Sequence, residues 1–201
     1  MFYDRPDGHG LPHDPFKAIV TPRPIGWIST LGPGGVANLA PYSFFNAVSA
    51  RPNMVGFAGG ALRHSIRNAR DTGEFAFNLT SMELAERMNL SSTNLPDDES
   101  EFDFAGVEMA PARHIAAPIV AASPAVLECR VVHFLELTDL QDRATDHYLV
   151  IGEVVGTHIR DEFIRDGRFD NAAARVVARC GYHDYTVVDS LFEMPPPKRR
   201  A

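Results

Sequence analysis

Residues 19–65 constrain the fold most, because short apolar runs alternate there with turns that are rich in glycine and proline. Residues 27–31 are β-branched and aromatic in character, which is typical of a strand. The glycine-proline cluster at residues 32–35 predicts a tight turn, so a hairpin follows naturally. This pattern favours short strands over long helices.

The rest of this stretch extends the same β pattern. The partner strand is predicted over residues 36–45 with an interruption at Pro41. A third strand is predicted over residues 53–58, ended by Gly59 and Gly60. Pro22 and Pro24 cannot donate to a sheet, so the approach to the first strand is predicted to be an edge or a bend.

Beyond residue 64 the hydrophobic period changes to that of a helix. A short helix is predicted over residues 65–73, with Ser65 as its N-cap and Gly73 as its C-terminal stop. The capping-box spacing of Thr80 and Glu83 predicts a second helix over residues 81–90. The remaining expectations are strands over residues 74–79, 125–137, 147–159 and 182–188, and a short helix over residues 171–179. Together they predict a mainly β, closed antiparallel barrel with a few short flanking helices.

Length and charge limit the class of protein. A chain of 201 residues is predicted to form one domain over residues 16–190, with an N-terminal arm over 1–15 and a disordered tail over 191–201. The formal net charge is −7 and the only basic cluster lies in the tail, so a nucleic-acid surface is not favoured. The polar N-terminus and the lack of a membrane-length apolar run predict a cytoplasmic protein without membrane contact.

Several common kinds of functional site are not supported by the sequence. Cys129 and Cys180 are too few for a disulfide framework and have no CxxC spacing. No GxSxG elbow, P-loop or GxGxxG fingerprint is present. The acidic stretch over residues 91–106 does not match a calcium loop, so it is predicted to be a solvated loop without a strong element and without a metal.

The strongest chemical signal lies at residues 59–65, just before the first predicted helix. Glycines let the backbone approach a ligand closely, and a helix N-terminus presents unpaired N–H groups and the positive end of the helix dipole. Arg63 adds a bidentate positive group and Ser65 adds a hydroxyl. This combination is a plausible seat for a phosphate monoester. An ordinary N-cap after a glycine-rich loop explains the same residues and stays open here.

Taken together, the motifs resemble one known family. The segments are TPRPIGWIST, NLAPYSFFNAVSARP, RHSIRNARDTGEFAFNL, LEC and ARCGYHDY, in this order along the chain. They resemble the flavin reductase-like family over roughly residues 15–185, which is most of the chain. The resemblance implies the FMN-binding split barrel, a six-stranded antiparallel Greek-key-like fold. It also implies a homodimer with FMN near the subunit interface.

The resemblance also implies which residues bind FMN. The phosphate triplet, usually Lys-Asp-Thr, corresponds to Arg63, His64 and Ser65, with Asn68 nearby. The late segment that approaches the flavin contains Arg179, Gly181 and His183. The residues implied beside the ring and the ribityl chain are Trp27, Ile28, Ser29, Thr30, Asn38, Ala40, Pro41, Ser43, Phe44 and Asn46. Two departures are His64 in place of an acid and an RCGYHDY segment in place of Arg-Leu-Gly-Gly.

The function implied is that of an FMN-dependent oxidoreductase that takes hydride from NADH or NADPH. The reduced flavin would serve an acceptor or a partner oxygenase. His183 is the candidate for positioning nicotinamide or protonating flavin, and no other acid or base is demanded, because the cofactor carries the chemistry. A flavoredoxin-like electron carrier that a partner protein reduces fits the same motifs. A barrel that has lost flavin is a third reading, which Arg63 and Ser65 argue against.

Overall fold

The computed structural model describes residues 1–4 and 8–197. The end of the predicted tail, residues 198–201, lies outside the described residues, as do residues 5–7 of the predicted arm. The strands are β1 Arg23–Pro24, β2 Gly26–Leu31, β3 Ala37–Tyr42, β4 Phe45–Ala50, β5 Asn53–Gly60, β6 Glu74–Asn78, β7 Met109–Ala110, β8 Ile119–Val120, β9 Ala125–Thr138, β10 Ala144–Ile159, β11 Ile164–Arg165, β12 Arg168–Phe169, β13 Val177–Gly181 and β14 Asp184–Val187. The helices are α1 Phe16–Ile19, α2 His64–Thr72, α3 Ala85–Leu90 and α4 Glu101–Phe104, with 3-10 turns at Met82–Leu84 and Asp161–Phe163.

One large sheet forms most of the molecule. In the described part of the chain it has seven strands in the order β3-β2-β6-β9-β10-β5-β4, and every neighbouring pair is antiparallel. Phe45 of the edge strand β4 stacks on Phe77 of β6, with ring centroids 4.4 Å apart, so the sheet curls on itself. The predicted mainly β, antiparallel fold is confirmed. The seventh strand arises because the chain breaks at residues 43–44 and resumes as β4.

Three apolar clusters pack on this sheet in the described part of the chain, and the two larger ones lie next to the strands that lead to the site. The inner core packs Ile28, Phe57, Phe75 and Val150 inside the curled sheet. The second core lies on the outer side of β2 and β3, where helices α3 and α4 cover the sheet. Its largest members are Trp27, Leu39, Met88 and Phe102, each at most 2% exposed. The two cores place β2 and β3 between them, which fixes the strands that lead to the site.

A small three-stranded sheet joins the two ends of the chain. Its order is β1-β13-β14, and Arg23 lies directly opposite Arg179 in the β1–β13 register. The helix predicted over residues 171–179 is wrong, since turns fill most of this span and β13 begins at Val177. The local helical pattern is overridden because Val177 and Ala178 are buried against the rest of the fold.

Four local predictions near the site are also corrected. Pro41 does not interrupt β3, since it pairs with Trp27 on a strand at the edge of the large sheet, where its missing N–H faces no neighbour. Gly59 and Gly60 do not follow β5 as a turn but form its last two residues and pair with β10. A Cβ at Gly59 would lie 2.8 Å from the Tyr42 ring, so glycine is needed there for close approach rather than for a turn.

The predicted helix starts are shifted as well. Arg63, not Ser65, is the N-cap of α2. The predicted capping box is absent, because Ser81 is the N-cap of the following 3-10 turn and makes no side-chain cap bond. Gly73 does stop α2 in the left-handed conformation, with φ of 74°. Leu84 and Met88 face inward, at 6% and 2% exposure.

Gly152 of β10 allows close packing of the Phe75 ring, which comes from β6. A Cβ at Gly152 would lie 2.5 Å from the ring of Phe75, which is fully buried. Gly152→Ala is therefore expected to lower the free energy of unfolding by about 1–3 kcal/mol through overpacking. Urea denaturation of the two proteins measures this difference. Gly34→Ala is the control, since nothing lies within 4 Å of its added Cβ. Equal midpoints for Gly152→Ala and wild type would contradict the prediction.

Candidate functional site

An open groove lies where the C-terminal half of β3 meets the start of α2. The cavity is about 440 Å³. One wall is formed by Ala40, Pro41 and Tyr42 of β3, and the opposite wall by the loop at residues 91–95. Its end is closed by residues 62–65 and by Glu101 of α4. Of the residues predicted for the site, Asn38, Ala40, Pro41, Arg63, His64 and Ser65 are brought together here.

The N-terminus of α2 opens into this groove without a cap. Arg63 is the N-cap in an extended conformation, and its side chain makes no capping hydrogen bond. The first N–H groups of a helix have no partner within it, so they are available to an anion. The Arg63 guanidinium donates to Asn94 Oδ1 at 3.0 Å, and no carboxylate of residues 1–4 and 8–197 forms an ion pair with it. A cationic side chain and a positive helix end thus converge on one cavity.

The turn that aims Arg63 is held by an unusual backbone conformation. Ala61 has a φ of 58°, in the left-handed region that residues with a Cβ rarely adopt. Its N–H donates to the carbonyl oxygen of Asp146 at 2.7 Å. This bond to the hairpin of β9 and β10 anchors the turn, so the large sheet sets the position of the α2 N-terminus.

Buried polar side chains form a network behind the groove. Ser65 donates its hydroxyl to Asn38 Oδ1 at 2.6 Å, and Asn68 donates to Thr30 Oγ1 at 3.1 Å. Thr30 lies 3.4 Å from the same Asn38 oxygen. All four residues are buried. The Ser65 hydroxyl already donates to Asn38. It can donate to an anion in the groove only if this hydrogen bond breaks.

Glu101 is a buried charged residue of the groove that the sequence did not indicate. It was placed in a solvated acidic loop, but it begins α4 and is 3% exposed. Its Oε2 accepts from Asn38 Nδ2 at 2.7 Å and from the Leu39 N–H at 3.0 Å. The prediction that this loop lacks a defined element is therefore wrong. Phe102 was the available signal in the sequence, because it is an apolar residue within an acidic run. Its side chain is fully buried in the second core.

Two acidic residues lie close to His64, the middle residue of the Arg63–Ser65 triplet. His64 Nε2 lies 2.7 Å from Asp97 Oδ1, and His64 Nδ1 lies 3.9 Å from Glu101 Oε1. Arg67 also pairs with Asp97, at 3.1 Å. The Arg67 guanidinium, followed by His64, holds the pKa of the Asp97 carboxyl below its usual value. The His64 side chain is thus held at the end of the groove by two acidic residues.

Tyr42 lies at the base of the groove with its ring packed on Phe57, at a centroid distance of 4.9 Å. Burial raises the pKa of its phenol, while a hydrogen bond with Ser65 and the charge of Arg63 lower it by less. The phenol therefore stays protonated across the physiological range. Its hydroxyl adds a neutral polar group beside Ser65.

A second cavity of about 680 Å³ adjoins the groove. Pro41 and Ser92 line both cavities. Besides Pro41, the predicted site residues Ser43, Arg179 and His183 line this second cavity. The cavity also contains Arg23, which the sequence did not single out. The late segment thus reaches the region next to the groove.

Other predicted site residues lie outside both cavities. Trp27, Ile28, Ser29 and Thr30 are 0% exposed, so they support the wall from behind and offer no surface to a ligand. Trp27 donates its indole N–H to Ser91 Oγ at 2.8 Å, which ties this wall to the loop at residues 91–95.

The remaining three predicted residues have other surroundings. Asn68 lines a smaller cavity of about 260 Å³ together with His64 and Arg67. Phe44 and Asn46 are exposed beyond the end of β3. The Asn46 side chain accepts from the N–H of Ala47, and neither residue lines the groove or the second cavity.

Within residues 1–4 and 8–197, no three or more His, Cys, Asp or Glu side chains are grouped so that they could hold a metal ion. Over the same residues, no helix is long and apolar enough to cross a membrane.

Comparison with known proteins identifies relatives of the whole fold. Residues 19–173 match the family described as "Flavin reductase like domain". A protein of Deinococcus radiodurans is 37% identical over 190 residues, covering 88% of this chain and 81% of the relative.

Two solved structures are similar over nearly their whole length. Component B of nitrilotriacetate monooxygenase from Bacillus cereus superposes with a TM-score of 0.85 at 27% identity, covering 96% of this chain and 98% of that one. A Shewanella frigidimarina protein assigned as a flavin reductase with a split barrel domain has a TM-score of 0.81 at 25% identity, with 90% of each chain covered.

Proposed function

The chain belongs to the flavin reductase-like family, and on that premise we propose that it is an FMN-binding oxidoreductase that accepts hydride from NADH or NADPH. Family membership supports a flavin-associated redox role. The observation that carries the choice of FMN is the uncapped N-terminus of α2, which opens into the groove beside Arg63. This arrangement fits the terminal phosphate of a flavin mononucleotide.

The residues of the chain have separable tasks in this proposal. Arg63 and the first N–H groups of α2 bind the phosphate, and the buried network of Asn38 and Ser65 keeps this end rigid. Ala40 and Pro41 form the wall along which the rest of the ligand lies, towards the second cavity. When bound, FMN supplies the hydride chemistry, so the protein contributes binding, orientation and exclusion of water.

The electron acceptor is proposed from the named structural relative. Component B of a monooxygenase is by its name one part of a larger system. We therefore propose that this chain passes reducing equivalents to an acceptor or to a partner oxygenase, as a homodimer in the cytoplasm. The alternative is that the chain is an electron carrier that a partner protein reduces, and the absorption spectrum distinguishes the two.

The test is a visible absorption spectrum of the purified protein, repeated without oxygen after addition of NADH or NADPH. The expected result is a flavin band, present as purified or after FMN is added, that bleaches rapidly with one of the two donors. A band that persists with both donors would assign the chain as an electron carrier. A colourless protein that takes up no FMN would overturn the proposal.

His183 is proposed to position nicotinamide or to protonate the flavin. It lies in the turn between β13 and β14 and lines the second cavity. His183→Ala is expected to lower the rate of flavin bleaching by NAD(P)H about 10²-fold or more if it transfers a proton, and to raise KM alone if it only positions nicotinamide. Stopped-flow absorbance measures both. Unchanged rate and KM would remove His183 from the mechanism.

A further inference from the structure

The second cavity is cationic although the protein as a whole is acidic. Among the residues that the structure describes, its lining includes Lys17, Arg23 and Arg179 and a single carboxylate, that of Asp14. Asp14 Oδ1 already accepts from the N–H of Phe16 at 2.9 Å. The chain carries a net charge of −7, so an excess of positive charge in one cavity stands out from the rest of the molecule.

Arg23 is nearly buried and lacks an acidic partner. Arg23 is 6% exposed, and among the described residues no carboxylate forms an ion pair with it. Its Nη1 donates to the carbonyl oxygens of Lys17 and Val20, which holds it beneath α1. Its Nε is buried without any hydrogen-bond partner. Buried charges are normally paired, so this guanidinium lacks the negative group that its environment calls for.

Arg179 adds a second guanidinium to the same place. It is the register partner of Arg23 across β1 and β13, and residues directly opposite on neighbouring strands project to the same side of the sheet. Its guanidinium stacks on the Tyr185 ring at 4.4 Å and donates to the Tyr182 carbonyl and the Tyr185 hydroxyl. None of these partners carries a charge. Two like charges opposite each other repel. An anion bound between them would attract both guanidinium groups and so offset this repulsion.

We infer that Arg23 and Arg179 form an oxyanion site in the second cavity, which binds the phosphate or carboxylate group of the small molecule that exchanges electrons at the groove. Arginine has the planar, bidentate geometry that both groups require. The cavity shares Pro41 and Ser92 with the groove, so a molecule anchored at the arginines reaches the ligand of the groove. The role of the anchored molecule rests on the proposed function, while the anion site itself does not.

The test is a calorimetric titration of the FMN-loaded protein at low salt with two probes, inorganic pyrophosphate and benzoate. One saturable site is expected, and the probe that binds tighter distinguishes a phosphate-bearing from a carboxylate-bearing partner. Arg23→Gln and Arg179→Gln are each expected to raise the Kd about tenfold or more, because each removes a charge-assisted hydrogen bond. Arg179→Gln leaves the contacts of Arg23 with α1 in place, so it tests the site even if Arg23→Gln perturbs the fold.

A matched control is Arg168→Gln, which removes an equal charge from a side chain that is 84% exposed and outside both cavities. It is expected to change the Kd less than about twofold, because exposed charges are screened. Failure of both probes to saturate the wild type, or equal Kd values for wild type and Arg179→Gln, would overturn the inference.

The same titration separates this inference from the proposed function. If the protein takes up no FMN, the proposed function fails, and the titration is run on the Arg63→Glu protein, in which the anion seat at α2 is removed. Binding that persists there and is lost on adding Arg179→Gln supports the oxyanion site on its own. Normal FMN uptake without probe binding rejects only the oxyanion site.

Discussion

Arg63→Glu is expected to abolish retention of FMN by the purified protein. The substitution removes a charge-assisted hydrogen bond to the phosphate, worth about 1.5–3 kcal/mol, and places a carboxylate at the same position. Glu101, another acid, already lines this groove. The lost hydrogen bond and the added repulsion together are expected to raise the Kd for FMN about 10²-fold or more. Fluorescence titration of the FMN-free protein with FMN measures the change.

The control for this substitution is Arg63→Lys, which keeps the charge but not the planar geometry. It is expected to weaken FMN binding far less than Arg63→Glu, because the helix N–H groups and a positive side chain both remain. Arg63 is exposed and its described bond is to Asn94, so neither variant should change the unfolding temperature. If Arg63→Glu binds FMN as tightly as wild type, the assignment of the phosphate to the N-terminus of α2 is wrong.

Glu128→Gln is expected to destabilise the fold by about 3 kcal/mol. The Glu128 carboxylate is fully buried. It accepts from the N–H of Arg113 at 2.8 Å and of His114 at 2.6 Å, and it also contacts His158. The amide of glutamine keeps the volume but turns an NH₂ group towards these donors, and breaking one side of a buried pair costs about 3–5 kcal/mol. For a chain of this size, Tm is expected to fall by about 6–12 °C.

The pH dependence of stability offers a second readout of the same group. Burial raises the pKa of Glu128, but the His158 ring and the N–H groups of Arg113 and His114 together lower it more, to below its ordinary 4.5. The unfolded chain therefore binds this proton at a higher pH than the folded one. The stabilisation is complete above 4.5 and is lost as the pH falls through the lower folded pKa. The Tm difference between wild type and Glu128→Gln should shrink over that range.

Glu136→Gln is the matched control, since Glu136 lies on the same strand and is exposed. Its Tm should stay close to that of wild type, since substitutions of exposed residues usually change stability little. Circular dichroism during heating measures all three proteins. A Glu128→Gln protein with the Tm of Glu136→Gln would show that the buried carboxylate does not hold the segment at residues 113–114 onto β9.

Much of the fold followed from short-range patterns. The strands at 27–31, 53–58, 74–79, 125–137 and 147–159 and the helix ended by Gly73 were predicted from periodicity and turn residues, and the structure confirms them to within a few residues. The helix over 171–179 was wrong because burial of β13 outweighed the local pattern. The start of a helix near Arg63 and Ser65 was predictable because a helix start is a local event, readable from a few neighbouring residues.

The sequence by itself therefore determined the mainly β class and the position of the groove along the chain, since strand period and helix starts depend on neighbouring residues. Only the tertiary structure decided which distant groups meet there. Glu101 joins Asn38 across 63 residues, and Arg23 meets Arg179 through the β1–β13 register. Such pairs depend on how the strands align and which faces are buried, and no local pattern records that alignment.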